Sequence, residues 1–134
     1  MANVIYPKYK EALISGGSNV NLSSGTVKVA LVDTGTYTYS AAHDFYDDVS
    51  AAVVGTPQTL GSKTVTSGTF DAADVTYTSV SGSSVEALVI YVDSGVAGTS
   101  PLVAYIDTSV SGLPVTPNGG DISVTWSGSG IFTL

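Results

Sequence analysis

Cysteine and arginine are absent from this 134-residue chain, and histidine occurs once, as His43. The missing cysteines exclude disulfides, thiolate zinc sites and cysteine nucleophiles together. The missing arginine leaves four lysines against eleven acidic side chains, a formal charge of −7. That balance offers nothing from which to build a basic nucleic-acid patch. Charge of either sign is scarce, at 11% of residues against the roughly 25% of an ordinary globular domain. Apolar runs stay far short of the roughly 20 residues a bilayer-spanning helix needs, so no membrane partner is expected. The opening Met1-Ala2-Asn3-Val4-Ile5-Tyr6-Pro7-Lys8 has no charged region leading into an apolar one, so no secretory signal is expected.

What the chain does have is apolar content, 43% of residues, cut into short runs by Gly, Ser, Thr and Asn. That spacing predicts an all-β fold in one domain over residues 1–134. Pro7 to Ser15 reads as a short helix, with Pro7 suited to its first position and Gly16-Gly17 to its stop, so residues 1–17 form an N-terminal arm. Ala42 to Val54 sets Phe45, Val49 and Val53 at i, i+4, i+8 and predicts a short helical insertion. Strands are expected over Thr26–Val32, weakly over Ser62–Phe70, then over Val75–Val80, Val85–Val92, Leu102–Ile106, Ile122–Trp126 and Ile131–Leu134. In Thr26–Val32, Val27, Val29 and Leu31 share one face that should be buried. Val85–Val92 and Leu102–Ile106 are apolar on both faces, so both should be central strands, joined in a long hairpin. Seven or eight strands make an antiparallel β-sandwich or jelly roll, with a closed antiparallel barrel as the alternative.

The search for chemistry finds no catalytic constellation, and no enzyme activity or cofactor is expected. His43 sits in the acidic stretch His43-Asp44-Phe45-Tyr46-Asp47-Asp48, and no serine lies in a nucleophile elbow. Asp44, Asp47 and Asp48 could offer oxygens to a divalent ion, but their spacing does not match an EF-hand loop. They read instead as solvated carboxylates at a helix start, and no metal is expected. Asn118-Gly119-Gly120-Asp121 is turn chemistry, and Asn21-Leu22-Ser23 is a formal glycosylation triplet. Eight tyrosines and one tryptophan pose a choice between sugar stacking and packing. Tyr37 and Tyr39, on one face of an extended segment, are the best glycan candidates, with Trp126 beside them; packing or protein contact outweighs glycan binding.

Several stretches together resemble small all-β virion structural proteins of tailed bacteriophages. They are the N-terminal helix, Thr26-Val27-Lys28-Val29-Ala30-Leu31-Val32, His43-Asp44-Phe45-Tyr46-Asp47-Asp48-Val49, Asp71-Ala72-Ala73-Asp74-Val75-Thr76-Tyr77 and Ala87-Leu88-Val89-Ile90-Tyr91-Val92-Asp93. Ser100-Pro101-Leu102-Val103-Ala104-Tyr105-Ile106-Asp107 follows, and then the ending from Pro114-Val115-Thr116-Pro117-Asn118-Gly119-Gly120-Asp121-Ile122 through Trp126 to Gly130-Ile131-Phe132-Thr133-Leu134. The resemblance implies a protein similar to capsid cement, or decoration, proteins. It would sit on the virion head surface, made in the host cytoplasm, with the major capsid protein and further copies of itself as partners. A tail or neck component is the alternative in the same class, and a carbohydrate-binding module the alternative outside it. The acidic balance would keep the chain off packaged DNA. Ile5, Tyr6, Tyr9 and Leu13 on the N-terminal arm, with Tyr37 and Tyr39, are the expected interface residues; equally, the helix could cap its own sandwich.

Overall fold

A computed structural model of the chain describes residues 3–107 and 112–134. The first two positions of the expected N-terminal arm lie outside the described residues. Among the described residues ten strands pair antiparallel, in sheets of five, three and two strands. The five-stranded sheet runs in the order β1 (Val4–Ile5), β8 (Leu102–Ile106), β7 (Ala87–Val92), β2 (Val27–Val32) and β3 (Val53–Thr59). The second sheet orders β10 (Phe132–Thr133), β5 (Thr69–Asp71) and β4 (Thr64–Thr66), and the third pairs β6 (Val75–Tyr77) with β9 (Ile122–Val124). The all-β sandwich expectation holds, with more strands than the seven or eight expected.

β7 and β8 form the expected hairpin, and every residue of both strands is buried. Their apolar character on both faces matches a strand covered on both sides. β2 is covered twice as well: Ala30 and Val32 are as buried as Val27, Val29 and Leu31, where the sequence predicted one buried face. The pairings Ala30↔Val89 and Val89↔Tyr105 put these side chains on one face of the sheet, and Leu31↔Leu88 and Leu88↔Ile106 put those on the other.

The first face is covered by the segment 33–52, which brings Tyr37, Tyr39 and Tyr46 down onto it. The helix expected over Ala42–Val54 is instead two single-turn 3-10 segments, Tyr46–Asp48 and Ser50–Ala52, running straight into β3. Aspartates that prefer to bond local backbone break the longer helix: the Asp48 carboxylate accepts from the Asp44 and Phe45 amides at 2.9 and 3.4 Å. β3 was missed because it contains Gly55 and Pro57, and both residues point to its real character. It is an edge strand, with Gly55 at φ +73° beside an irregular register opposite Val29 and Leu31. The second face packs against the small sheets, and the Tyr77 hydroxyl donates to the Val29 carbonyl at 2.8 Å where the β2–β3 register shifts.

Helix α1 (Pro7–Ser15) forms as expected. Pro7 opens it, and its C-terminus closes on Gly16 in the left-handed region at φ +71°. The Gly17 amide reaches the Ala12 carbonyl at 2.7 Å and the Gly16 amide reaches Leu13 at 3.4 Å, a double closure that needs a glycine at the left-handed position. Nine residues are too few for a stable helix in isolation; tertiary packing through buried Tyr9, whose hydroxyl donates to the Val20 carbonyl at 2.8 Å, holds it in place.

The Ser62–Phe70 stretch, expected as one weak strand, is the β4–β5 hairpin turning at Ser67-Gly68, both with positive φ. The last strand, β10, pairs with β5 through Phe132↔Phe70 and Thr133↔Thr69.

Candidate functional site

Two regions gather the residues that the sequence singled out. The first is an aromatic cluster on the inner side of segment 33–52. Tyr6 and Tyr37 join hydroxyl to hydroxyl at 2.8 Å, and the Tyr37 hydroxyl reaches His43 Nδ1 at 2.8 Å. Donation in the order Tyr6, Tyr37, His43 leaves no buried O–H unused and requires Nδ1 to be the unprotonated ring nitrogen. Tyr39 packs against Tyr6 and Tyr105 with ring centroids 5.3 and 5.5 Å apart, and Tyr37 stands 6.2 Å from Tyr105. These are ordinary tilted aromatic contacts. Burial pushes the Tyr6 hydroxyl far above the usual phenol range, and its bond to Tyr37 adds to that shift. Burial likewise pushes Tyr37 up to about 12. A phenol in that state holds its proton and serves as a structural hydrogen-bonding group.

This geometry corrects part of the expected interface. Tyr6 and Tyr37 are buried within their own chain and have no surface to offer a partner or a sugar, and Tyr9, also buried, shows only a sliver of its ring at the floor of a groove. Tyr39 is half-buried, its ring packed among tyrosines. Trp126 is half-buried too, with its indole N–H donating to the Ala73 carbonyl at 3.1 Å. The helix therefore caps its own sandwich through Tyr6 and Tyr9. Asn21 turns its side-chain oxygen onto the Ser23 and Ser24 amides at 2.9 and 3.1 Å, a local turn.

The second region is the rim between α1 and the C-terminal strand. Two adjoining grooves open there, of about 390 and 380 Å³. The larger is floored by Tyr9, Leu22, Phe70 and Phe132; the smaller runs past Ile5 and Ile14; Leu13 and Leu134 line both. Ile5 and Leu13, half-buried members of the expected set, thus lie at an open apolar surface. Among the described residues four large apolar side chains stand out as exposed: Ile14 at 89%, Val96 at 61%, Leu134 at 59% and Val65 at 54%. Three of them, Ile14, Leu134 and Val65, line these grooves. Lys10 is the one charged side chain among the groove-lining residues.

Ile14, Val65 and Leu134 escaped the reading of the sequence. Ile14 adjoins Leu13 in sequence, and a helix of four apolar residues in nine gives no clear sign of which one is left outside. Val65 sits in a threonine-rich strand, where a single valine reads as ordinary.

Among the described residues no group of three or more His, Cys, Asp or Glu could hold a metal ion, and no helix is long and apolar enough to cross a membrane. No protein-family model matches the chain, and a search of curated proteins finds no significant match.

Proposed function

We propose that this chain is a structural virion protein, a capsid cement or decoration protein that binds the outer face of a capsid lattice and reinforces the head by non-covalent contacts. The observation that carries the reading is the open apolar rim between α1 and β10. Contiguous exposed apolar surface of this kind marks a place where a partner sits. Burying it releases water from aliphatic groups with Lys10 as the one charged side chain at its edge, which suits association over chemistry. Low overall charge density supports crowding of many copies, and the −7 balance favours the outer face of a shell over the side that meets packaged DNA. Each contact on such a lattice can be weak, because neighbouring sites engage together. The half-buried Ile5 and Leu13 are the members of the expected contact set that remain available for this role.

The test is cryo-electron microscopy, at side-chain resolution, of virions that encode the chain. Density for this fold bridging capsid subunits on the outer head surface, with the α1–β10 rim covered, is the expected result. Density in the neck or tail keeps the structural class and overturns the head location. Absence from the particle overturns both.

A further inference from the structure

We infer that the groove between α1 and β10 receives Val96 from a second copy of this chain, a contact that deepens the reading of the chain as an assembly protein and rests on it. The four large apolar residues exposed among the described residues fall in two places. Ile14, Val65 and Leu134 line the two adjoining grooves, while Val96 stands apart from them on the turn that joins β7 to β8. One chain thus carries a socket and an isolated apolar knob, the two halves of a contact between copies.

The knob is held stiffly. The Val96 carbonyl accepts from the Ser100 hydroxyl at 2.8 Å, the Ser94 hydroxyl at 3.0 Å and the Thr99 amide at 3.1 Å. Before it, the Gly95 amide donates to the Asp93 carboxylate at 2.8 Å. A tip whose backbone is already fixed loses little freedom on docking. Ala97, exposed beside Val96, adds a second small apolar surface.

Charge selects the same pairing. The groove's one charged side chain is a cation, Lys10, in a chain whose acids outnumber its lysines eleven to four. One unpaired acid lies beside the knob: the Asp47 carboxylate stands 3.7 Å from where a side chain on Gly98 would begin, whereas Asp93, three residues before Val96, is already paired with Lys28 at 2.9 Å. Bringing Asp47 to a groove lined by one lysine and no acidic side chain turns the general repulsion between copies into local attraction. Two residues at the tip make a small contact, so single pairs are weak, of millimolar order in solution, and become durable where many copies are held side by side.

Sedimentation equilibrium of the full chain in solution, with no capsid present, tests this. The wild-type weight-average mass is expected to rise at least about 1.5-fold above the monomer by about 1 mM, the value for a dimer of millimolar affinity. Val96→Lys and Ile14→Asp, both at exposed positions, are each expected to abolish that rise. An equimolar mixture of the two variants is expected to restore about half of it at the same total concentration, because only the intact knob of one can meet the intact groove of the other. An intermolecular NOE between Val96 methyls of a labelled copy and Ile14 or Leu134 methyls of an unlabelled one is expected in the wild type, and its measurement depends on no variant. A wild-type mass fixed at the monomer value, a Val96→Lys variant that associates like wild type, or a mixture that stays monomeric overturns the contact. These outcomes are separate from the fate of the capsid reading, which is decided by density in the particle.

Discussion

The face of the central sheet that carries Ala30, Val89 and Tyr105 is covered by tyrosines bonded to one another, whereas the rim between α1 and β10 leaves isoleucine, leucine and valine open to water. Both regions are rich in apolar surface and both involve the N-terminal arm. They differ in what the residues have left to give. Tyr6 and Tyr37 have used their rings in packing and their hydroxyls in a chain that ends at His43. The aliphatic side chains of Ile14, Val65 and Leu134 have no polar group to bond, and each is more than half exposed. Aromatic content by itself therefore says little about contact surface. An amphipathic ring buried with its polar end satisfied is a closing element, and the exposed aliphatic patch is the one a partner would improve.

The largest expected effect breaks the closed region and leaves the open one untouched until the fold fails. Burial raises the hydroxyls of Tyr6, Tyr77 and Tyr91 well above the ordinary phenol value near 10, and it raises Tyr9 and Tyr37 to about 12. A group whose folded pKa is raised contributes full stability below its unfolded pKa and loses it as pH climbs toward the folded value. Between pH 10 and 11 the unfolded chain releases protons that the folded chain keeps, so stability falls by about 1 kcal/mol over that unit for each such tyrosine. Urea titrations at pH 8 and pH 11 are expected to differ by several kcal/mol. An unchanged midpoint would mean that these hydroxyls reach water in the folded state.

A smaller effect separates two tyrosines of the closed interior. Tyr77→Phe leaves the Val29 carbonyl, at the register shift of β2, without the donor it has at 2.8 Å. Removing a donor from an acceptor in the core costs about 1–3 kcal/mol. Tyr6→Phe leaves Tyr37 still bonded to His43, so its cost is nearer 1 kcal/mol. Equilibrium unfolding of the two variants, side by side, checks the order; a larger loss for Tyr6→Phe would show that the hydroxyl chain acts as one unit.

The same contrast explains what could be read from the sequence. Alternation and unbroken apolar runs displayed β2, β7 and β8 directly, because burial on one or both faces writes itself into every residue of a strand. Pro7 and Gly16 displayed α1 for the equally local reason that one presets φ and the other takes a left-handed conformation. β3 stayed hidden behind Gly55 and Pro57, since an edge strand tolerates residues that a central one rejects. The helix read over Ala42–Val54 failed because a 3.6-residue apolar spacing competed with aspartates that cap short turns. The tyrosines were legible as a group and misleading as to place: nothing local in Tyr37 reveals that Tyr6, 31 residues earlier, will take its hydroxyl. The rim was least legible, because it is assembled from α1, β4 and β10, which are far apart in the chain.

At the border of the closed face, Lys28 and Asp93 form an ion pair at 2.9 Å beside the stacked rings of Tyr46 and Tyr91, 4.1 Å apart. The Lys28 ammonium, helped by the Gly95 amide, holds the Asp93 carboxyl below the usual carboxylate range. A depressed folded pKa means that this contribution is present above the unfolded value near 3.9 and is lost as pH falls through the folded one. Both side chains are partly exposed, so Asp93→Asn is expected to cost no more than about 1 kcal/mol at neutral pH, and less in high salt. A loss that salt does not reduce would assign the effect to the Gly95 amide bond.

The smallest expected effect on stability falls on the open rim, and its smallness is what sharpens the comparison. Ile14 lies in the last turn of α1, where the carbonyl ends of the helix carry partial negative charge. Ile14→Lys places a cation there and is expected to leave the unfolding free energy within about 0.5 kcal/mol of wild type. Ile14→Asp places an anion in the same turn and is expected to lie a few tenths of a kcal/mol below the lysine variant. A side chain this exposed surrenders almost no buried area when it is replaced, so packing cannot produce a larger difference. Thermal or urea unfolding of the pair measures it. A loss above about 2 kcal/mol from either substitution would show that Ile14 packs within its own chain, and the rim would then belong with the closed face.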